Sequence, residues 1–372
     1  MQRCIGVIYE GANPNLFGSL TDTRPGYMLP FGARYRIIDF TLSTMTNNDF
    51  SNVVLYGSRL IRSTLDHVGN GKPWELNRRR SGLTIFPPTY DKRLQNLTEI
   101  GSYFDTLEYY RNAKEEIVYC TDPMLIQKGD LGSAYDCFLE NDYDILMLYK
   151  KQKDELGTFL YANKLILDED KNIKNIGSHL GTEEEFNFLT SIGFMKKEVF
   201  IRIILEAAEK GNATTLIEAV KNNLGNLKIG AFEEEQQTEW IRDLKSYYRS
   251  NFDLLNRDIY EDLFYKNGLT LTKSKAMPPT VYNGNANVSN SLLANGCIID
   301  GQVENSIIFR GVHVKKDAIV KNSIIFESTV VGEGSVVVNS ITDKGVVIGD
   351  GVTLVGSATN PFVASKNEKI IK

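Results

Sequence analysis

The segment Glu10-Gly-Ala-Asn-Pro-Asn-Leu-Phe-Gly-Ser19 follows the first apolar run of the chain, Cys4-Ile-Gly-Val-Ile-Tyr9. It therefore stands where an α/β sheet binds phosphate, at the carboxyl end of its first strand. A loop that grips a triphosphate needs N–H groups aimed at the ligand, glycines that let the backbone approach, and cations that balance its charge. Here Glu10 opens the loop with a carboxylate, Pro14 removes an N–H from its middle, and no Lys or Arg follows until Arg24. A carboxylate in place of a cation reverses an interaction worth about a few kcal/mol for a partly buried phosphate. The loop argues against tight nucleotide binding. Cationic chemistry appears next at Arg34 and Arg36, which flank Tyr35. In extended backbone the alternation places both on one face, where the pair can contact an anion or make ordinary ion pairs with the acidic surface. Arg78-Arg-Arg80 reads as a solvated charge run. His67, His179 and His313 lie far apart and do not suggest a dedicated zinc site.

These residues need a scaffold, and 372 residues are enough for two domains with proper cores. Cys4–Tyr9, Asn52–Tyr56, Glu116–Cys120 and Asp144–Tyr149 read as central strands, and Ile38–Asn48 and Gly132–Glu140 as helices between them. The alternation predicts a mostly parallel sheet with helices on both faces over residues 1–225. A connecting helical segment is expected over 226–275, where Ser246-Tyr-Tyr-Arg-Ser-Asn-Phe-Asp-Leu-Leu255 carries aromatic and leucine residues at helical spacing.

Residues 276–372 repeat. Every 17 residues the pattern returns in four columns: Cys297, Val314, Val331, Ile348; Val303, Val320, Val337, Leu354; Asp300, Asp317, Gly334, Gly351; and the pairs Asn305-Ser306, Asn322-Ser323, Asn339-Ser340. Hexapeptides such as Val331-Gly-Glu-Gly-Ser-Val-Val337 point an aliphatic residue inward and round each corner with a small residue. Three of them make about one coil, so the segment predicts a left-handed parallel β-helix of roughly four coils. Such coils stack against partners, which points to oligomerisation. His313 within the repeat invites comparison with hexapeptide acyltransferases that use a histidine base, but the large α/β segment ahead of it argues otherwise.

Cys4, Cys120, Cys137 and Cys297 are scattered, with no Cys-x-x-Cys pair and no secretory leader, so a reduced, cytoplasmic protein is expected. No run approaches the length of a membrane span. A net charge of −5 does not favour nucleic acid. Partners are expected to be small molecules or proteins.

Pro30-Phe-Gly-Ala-Arg-Tyr-Arg-Ile-Ile-Asp-Phe40, with Asn70-Gly-Lys-Pro-Trp74 and Ile85-Phe-Pro-Pro88, resembles the glucose-1-phosphate adenylyltransferase family of bacterial glycogen synthesis over nearly the whole chain. Within that family the chain is most similar to the GlgD-type subunit, the catalytically impaired partner of the active one. The resemblance implies attack of glucose-1-phosphate on the α-phosphate of ATP in active members, with Mg2+ held between two aspartates and with lysines and arginines on the phosphates. It also exposes losses. The glycine- and arginine-bearing loop of active members falls on Glu10–Phe17 without its glycine run or its arginine. The lysine before Pro-Phe-Gly falls near Gly26-Tyr27. The strand-end Gly-Asp-His appears as Thr121-Asp122-Pro123. The sugar-phosphate Glu-Lys-Pro is replaced by Ile176-Gly-Ser-His-Leu-Gly181, and the second metal aspartate has only Asp243 as a substitute, about three residues out of register.

Losing several such contacts, each worth about 100-fold or more, leaves essentially no turnover. The expectation is a noncatalytic or weakly catalytic regulatory subunit that binds no cofactor of its own, joins an active Mg2+-dependent subunit in a mixed tetramer, and modulates ADP-glucose synthesis. Arg34 and Arg36 are the candidates for contact with a small phosphorylated effector, because in this family their region lies near an anion-responsive site. The alternatives are a self-sufficient nucleotidyltransferase using Asp122 and Asp243, with Asp122 as metal ligand, or a sugar-phosphate sensor without a synthetase partner.

Overall fold

The computed structural model describes the chain apart from residues 2, 12–13, 79–80, 89–97, 156 and 372. Ala12 and Asn13 of the first loop and Arg79 and Arg80 of the arginine run therefore lie outside the described residues. The chain divides into two compact units: Met1–Gly11, Leu42–Ile61 and Val68–Gln236 form one, and Ala12–Thr41, Arg62–His67 and Gln237–Lys372 form the other.

The first unit is built on a nine-stranded mixed sheet. Its parallel centre runs Gly82–Phe86, Asn52–Tyr56, Cys4–Ile8, Ile117–Thr121, in register Ile8 to Leu55 on one side and Ile8 to Thr121 on the other. All five residues of Cys4–Ile8 and of Asn52–Tyr56 are buried, as expected of strands covered on both faces. Glu185–Lys196 joins antiparallel to Ile117–Thr121, and Ile145–Lys153 joins it in turn, with Ile229–Glu233 parallel at that side. Glu185–Lys196 bulges between Leu189 and Phe194. Gly193 sits there at φ +72, where an added Cβ would stand 2.2 Å from the Leu146 carbonyl oxygen. The helix Lys197–Lys210 buries Val199, Phe200, Ile203, Ile204 and Ala207 at helical spacing and stops at left-handed Gly211. The central strands and the helices Ile37–Asn47 and Gly132–Glu140 fall within one residue of expectation; only Ile145–Lys153 runs appreciably longer.

The second unit carries the hexapeptide parallel β-helix. Its three faces hold six, five and five parallel strands between Val281 and Ile370, giving five coils where the repeat predicts about four. The core is a stack of small aliphatic side chains, including Ile299, Val314, Val331 and Ile348. Here the expected column is corrected. Ile299, and not Cys297, pairs with Val314, because that coil advances by 15 residues where the next two advance by 17. Asp300 leaves its column for the same reason. The column Val303, Val320, Val337, Leu354 stacks as expected. So do the Asn-Ser pairs: Asn290 donates to Asn305 (2.9 Å) and Asn305 to Asn322 (2.7 Å), and each of these asparagines and Asn339 turns a corner at φ between +40 and +47. Asparagine tolerates that conformation because its short amide bonds locally.

Pro30–Phe31 pairs antiparallel with Tyr35–Arg36 in a tight hairpin. Gly32 turns it at φ +57, gives its N–H to Asn251 Oδ1 (3.1 Å), and leaves an added Cβ only 3.1 Å from Leu254 and Phe264. That close approach explains the Pro-Phe-Gly triplet.

Candidate functional site

The carboxyl ends of the central strands bring Tyr9, Gly11 and Asp122 together in the first unit. Tyr9 N–H bonds the Thr121 carbonyl, and Asp122 follows directly. Asp122 Oδ1 accepts the Met124 N–H at 2.8 Å, and its Oδ2 accepts the Gly11 N–H at 3.4 Å. The first loop thus turns its glycine amide onto a protein carboxylate, in the place where a nucleotide-binding loop would offer it to a phosphate. Burial pushes the Asp122 carboxyl up to about 6 against the opposing pull of those two amides. A second carboxyl, absent from the sequence reading, stands in the same unit: Glu99 accepts from Tyr103 OH (2.9 Å) and from the Leu216 N–H (3.0 Å), and burial pushes it up to about 7. Tyr9 lies between Tyr56 and Tyr103, with ring centroids 5.9 and 5.7 Å away. The strand ends present acids and aromatic rings, a poor match for a triphosphate.

The other expected contacts are spent on structure. His179, the basic side chain of the segment expected to hold sugar phosphate, is fully buried, stacks on Phe186 at 3.9 Å, and places Nε2 at 3.2 Å from Asp154 Oδ2. Asp243 lies in the second unit as the N-cap of the helix Leu244–Asp253. Its Oδ1 accepts from the Ser246 N–H (2.7 Å) and Oγ (2.8 Å), and Oδ2 from Arg242 Nε (3.1 Å). The Asp-x-x-Ser spacing was the signal for that role. Among the described residues no group of three or more His, Cys, Asp or Glu is placed to hold a metal ion. Asp122 is not part of such a group, and each of its oxygens accepts one backbone amide.

The second unit assembles a cluster of cations that the sequence shows only in pieces. Arg34 is exposed in the hairpin turn and not in a strand, which corrects the expected alternation; its guanidinium lies 6.0 Å from the Tyr35 ring centroid. Arg36 is half-buried and donates to the Met28 carbonyl at 2.6 Å, while its N–H caps onto Asp39 at 2.9 Å. Arg24, 3% exposed, donates through Nη2 to both oxygens of Asp343 (2.9 and 3.1 Å), while its buried Nη1 has no hydrogen-bond partner among the described residues. Arg310, Glu327 and Lys344 occupy equivalent corners of successive coils: Ser328 N–H bonds the Arg310 carbonyl and Gly345 N–H the Glu327 carbonyl, each at 3.0 Å. Glu327 takes both Lys344 (2.7 Å) and Lys275 (2.5 Å). Burial alone would raise its carboxyl, but Lys344 and Lys275 outweigh that and hold it at about 2. Lys344 is pushed down to about 8, first by burial and then by Arg36, and Arg310 is lowered by burial and by Arg34. Mutual repulsion of this kind is relieved by a bound anion. Arg24, Arg310 and Lys344 were missed because nothing local in sequence ties them to Arg36.

Comparison with known proteins agrees with this architecture. A family model described as the GlmU-like C-terminal hexapeptide matches residues 279–360. The glycogen biosynthesis protein GlgD of Geobacillus stearothermophilus is 29% identical over 85% of this chain and 82% of its own length. GlgD of Bacillus subtilis is 29% identical over 84% and 81%. The glucose-1-phosphate adenylyltransferase of Fusobacterium nucleatum is 27% identical over 85% and 84%. The resemblance read from Pro30–Phe40 and the repeats is borne out by these relatives. Among the described residues no helix is long and apolar enough to cross a membrane.

Proposed function

We propose that this chain is a noncatalytic or weakly catalytic subunit of a glucose-1-phosphate adenylyltransferase assembly, acting in glycogen synthesis by modulating ADP-glucose formation in a catalytic partner. The observation that carries the reading is the Gly11 amide on Asp122: the loop that would hold ATP is engaged by the carboxylate that would hold the metal. The similarity to GlgD proteins supports the same role. In this reading Mg2+ belongs to the partner subunit, and the assembly is a cytoplasmic mixed tetramer.

The cation cluster supplies the regulatory half. Arg36 and Arg34, with Arg24, Arg310 and Lys344 in the same unit, suit a small phosphorylated effector. Guanidinium forks match phosphate geometry better than ammonium groups do.

Pyrophosphate release from ATP and glucose-1-phosphate, with the chain alone and then mixed with a catalytic adenylyltransferase subunit, tests the proposal. We expect no turnover alone, and a changed rate or effector response in the mixture that survives Asp122→Asn in this chain. Robust turnover by the isolated chain, abolished by that substitution, would sink it and favour a self-sufficient enzyme.

A further inference from the structure

The first unit holds a second concavity at the opposite ends of its central strands. A cavity of about 390 Å³ opens where the strand Ile117–Thr121 begins, where Glu185–Lys196 and the helix Gly132–Glu140 end, and where the helix Lys197–Lys210 starts. At about 3.3 Å per strand residue, Ile117 stands roughly 16 Å from Asp122. Ile117, Phe138, Leu139 and Tyr143 give the cavity an apolar and aromatic lining, and Leu139 is 49% exposed. The charged groups around it differ in what they already hold. Lys196 is taken by Asp142 (2.7 Å) and Asp144 (3.2 Å), and Lys197 donates to the Ala113 carbonyl at 2.6 Å. Glu116 and Glu198 line the same cavity, are exposed, and make no ion pair or side-chain hydrogen bond among the described residues. One helix ends here and another starts, so their dipoles offset. The uncommitted charge of the cavity is therefore negative.

We propose that this cavity binds an organic cation carried on an aliphatic stem, of the alkylguanidinium or alkylammonium class. The stem lies on Ile117, Phe138 and Leu139, and Glu116 and Glu198 balance the charge. Tyr143 adds a ring of the kind that attracts cations, as the Lys228 ammonium 5.6 Å from its centroid shows. The volume falls near the lower end of the range for small-molecule sites, about 300–1,000 Å³, and suits one short chain. An anion would meet two free carboxylates, and a bare metal ion would leave the apolar lining unused. The same chemistry can come from a free amine or guanidine, or from an arginine or lysine side chain of a partner protein. The site is independent of the subunit role proposed above, because neither Asp122 nor the cations of the second unit take part in it.

Calorimetric titration of the full chain with butylguanidinium and butylamine, with butanol and butyrate as controls of matched length, tests the proposal. Both cations are expected to bind saturably and more tightly than either control, and added salt should weaken them. Glu116→Gln and Glu198→Gln should each weaken binding about two- to five-fold, and the two together by roughly ten-fold. Both side chains are exposed, so the double variant should keep the melting midpoint of the parent, and its lost binding then reports the site and not the fold. Leu139→Trp, which fills the cavity from an exposed position, should weaken both cations while leaving the carboxylates in place. Absence of saturable binding overturns the proposal, and so does binding that the double variant leaves unchanged or that butanol matches. An arginine tripeptide with blocked ends separates the two sources: binding as tight as that of butylguanidinium supports a partner's side chain, and exclusion of the peptide supports a free small cation.

Discussion

Asp343→Asn is the sharpest probe of the cation cluster. Asp343 is 1% exposed at its side chain, takes both Nη2 contacts of Arg24, and accepts the Lys344 backbone N–H at 2.6 Å. The amide preserves shape but accepts only through its single oxygen, so the substitution removes the charge and turns one of the two Arg24 contacts into a donor facing a donor. Breaking one side of a buried ion pair costs about 3–5 kcal/mol because the remaining charge is left uncompensated. At about 2–4 °C per kcal/mol for a domain of this size, the midpoint of thermal unfolding should fall by roughly 6–20 °C. The same change makes the pocket more positive, so phosphate should bind it more tightly. An anion at 100 times its dissociation constant returns about 2.7 kcal/mol. Differential scanning fluorimetry in chloride and in phosphate at matched ionic strength reads both effects. The variant should melt well below the parent in chloride and recover more in phosphate than the parent gains. A midpoint within about 1 °C of the parent in chloride would refute the dependence of Arg24 on Asp343. Equal phosphate increments for both proteins would refute the anion site.

Three further outcomes are expected. Glu99 has its folded carboxyl raised to about 7, so the stability it lends is fully present below its unfolded value and is lost as pH rises toward and through 7. Glu99→Gln should therefore match the parent near pH 4 and exceed it at pH 8, by about 1–2 kcal/mol after allowing for partial exposure, in urea titrations at the two pH values. Asn322→Ala loses both the ladder bond and an asparagine suited to φ +46, and should destabilise the solenoid by about 2 kcal/mol, whereas Asn322→Gly keeps the conformation and should cost less, as denaturant midpoints would report. Asp243→Ala removes a helix cap and should lower stability by about 1 kcal/mol while leaving the mixed-assembly rate unchanged; a lost rate without lost stability would restore Asp243 as a catalytic ligand.

The strands and the solenoid were legible because their signals are periodic and local: continuous buried runs for the sheet, a 17-residue return for the coils. The misplacement of Cys297 shows the limit, since a two-residue contraction in one coil shifts the register without disturbing the pattern that follows. Arg34 was misjudged because Gly32 and Ala33, at φ +57 and +64, spend that stretch on a turn, so strand alternation does not reach it. The Pro-Phe-Gly triplet carried that signal. Asp122 could be named from sequence, yet its engagement by Gly11 could not, because that bond spans 111 residues. Arg24 and Asp343 are separated by 319 residues, and only folding shows that they neutralise one another.

The corner column of the solenoid works as a graduated ruler of charge. Arg310, Glu327 and Lys344 mark consecutive rungs, and neighbouring rungs of a parallel stack lie about 4.8 Å apart. Their signs alternate. Gain or loss of a single coil above Arg310 would slide every later rung by one, leave the hydrophobic stack intact, and set a carboxylate where an arginine or lysine now stands. The same fold can therefore switch between attracting and repelling an anion by counting coils, with no substitution at the pocket itself.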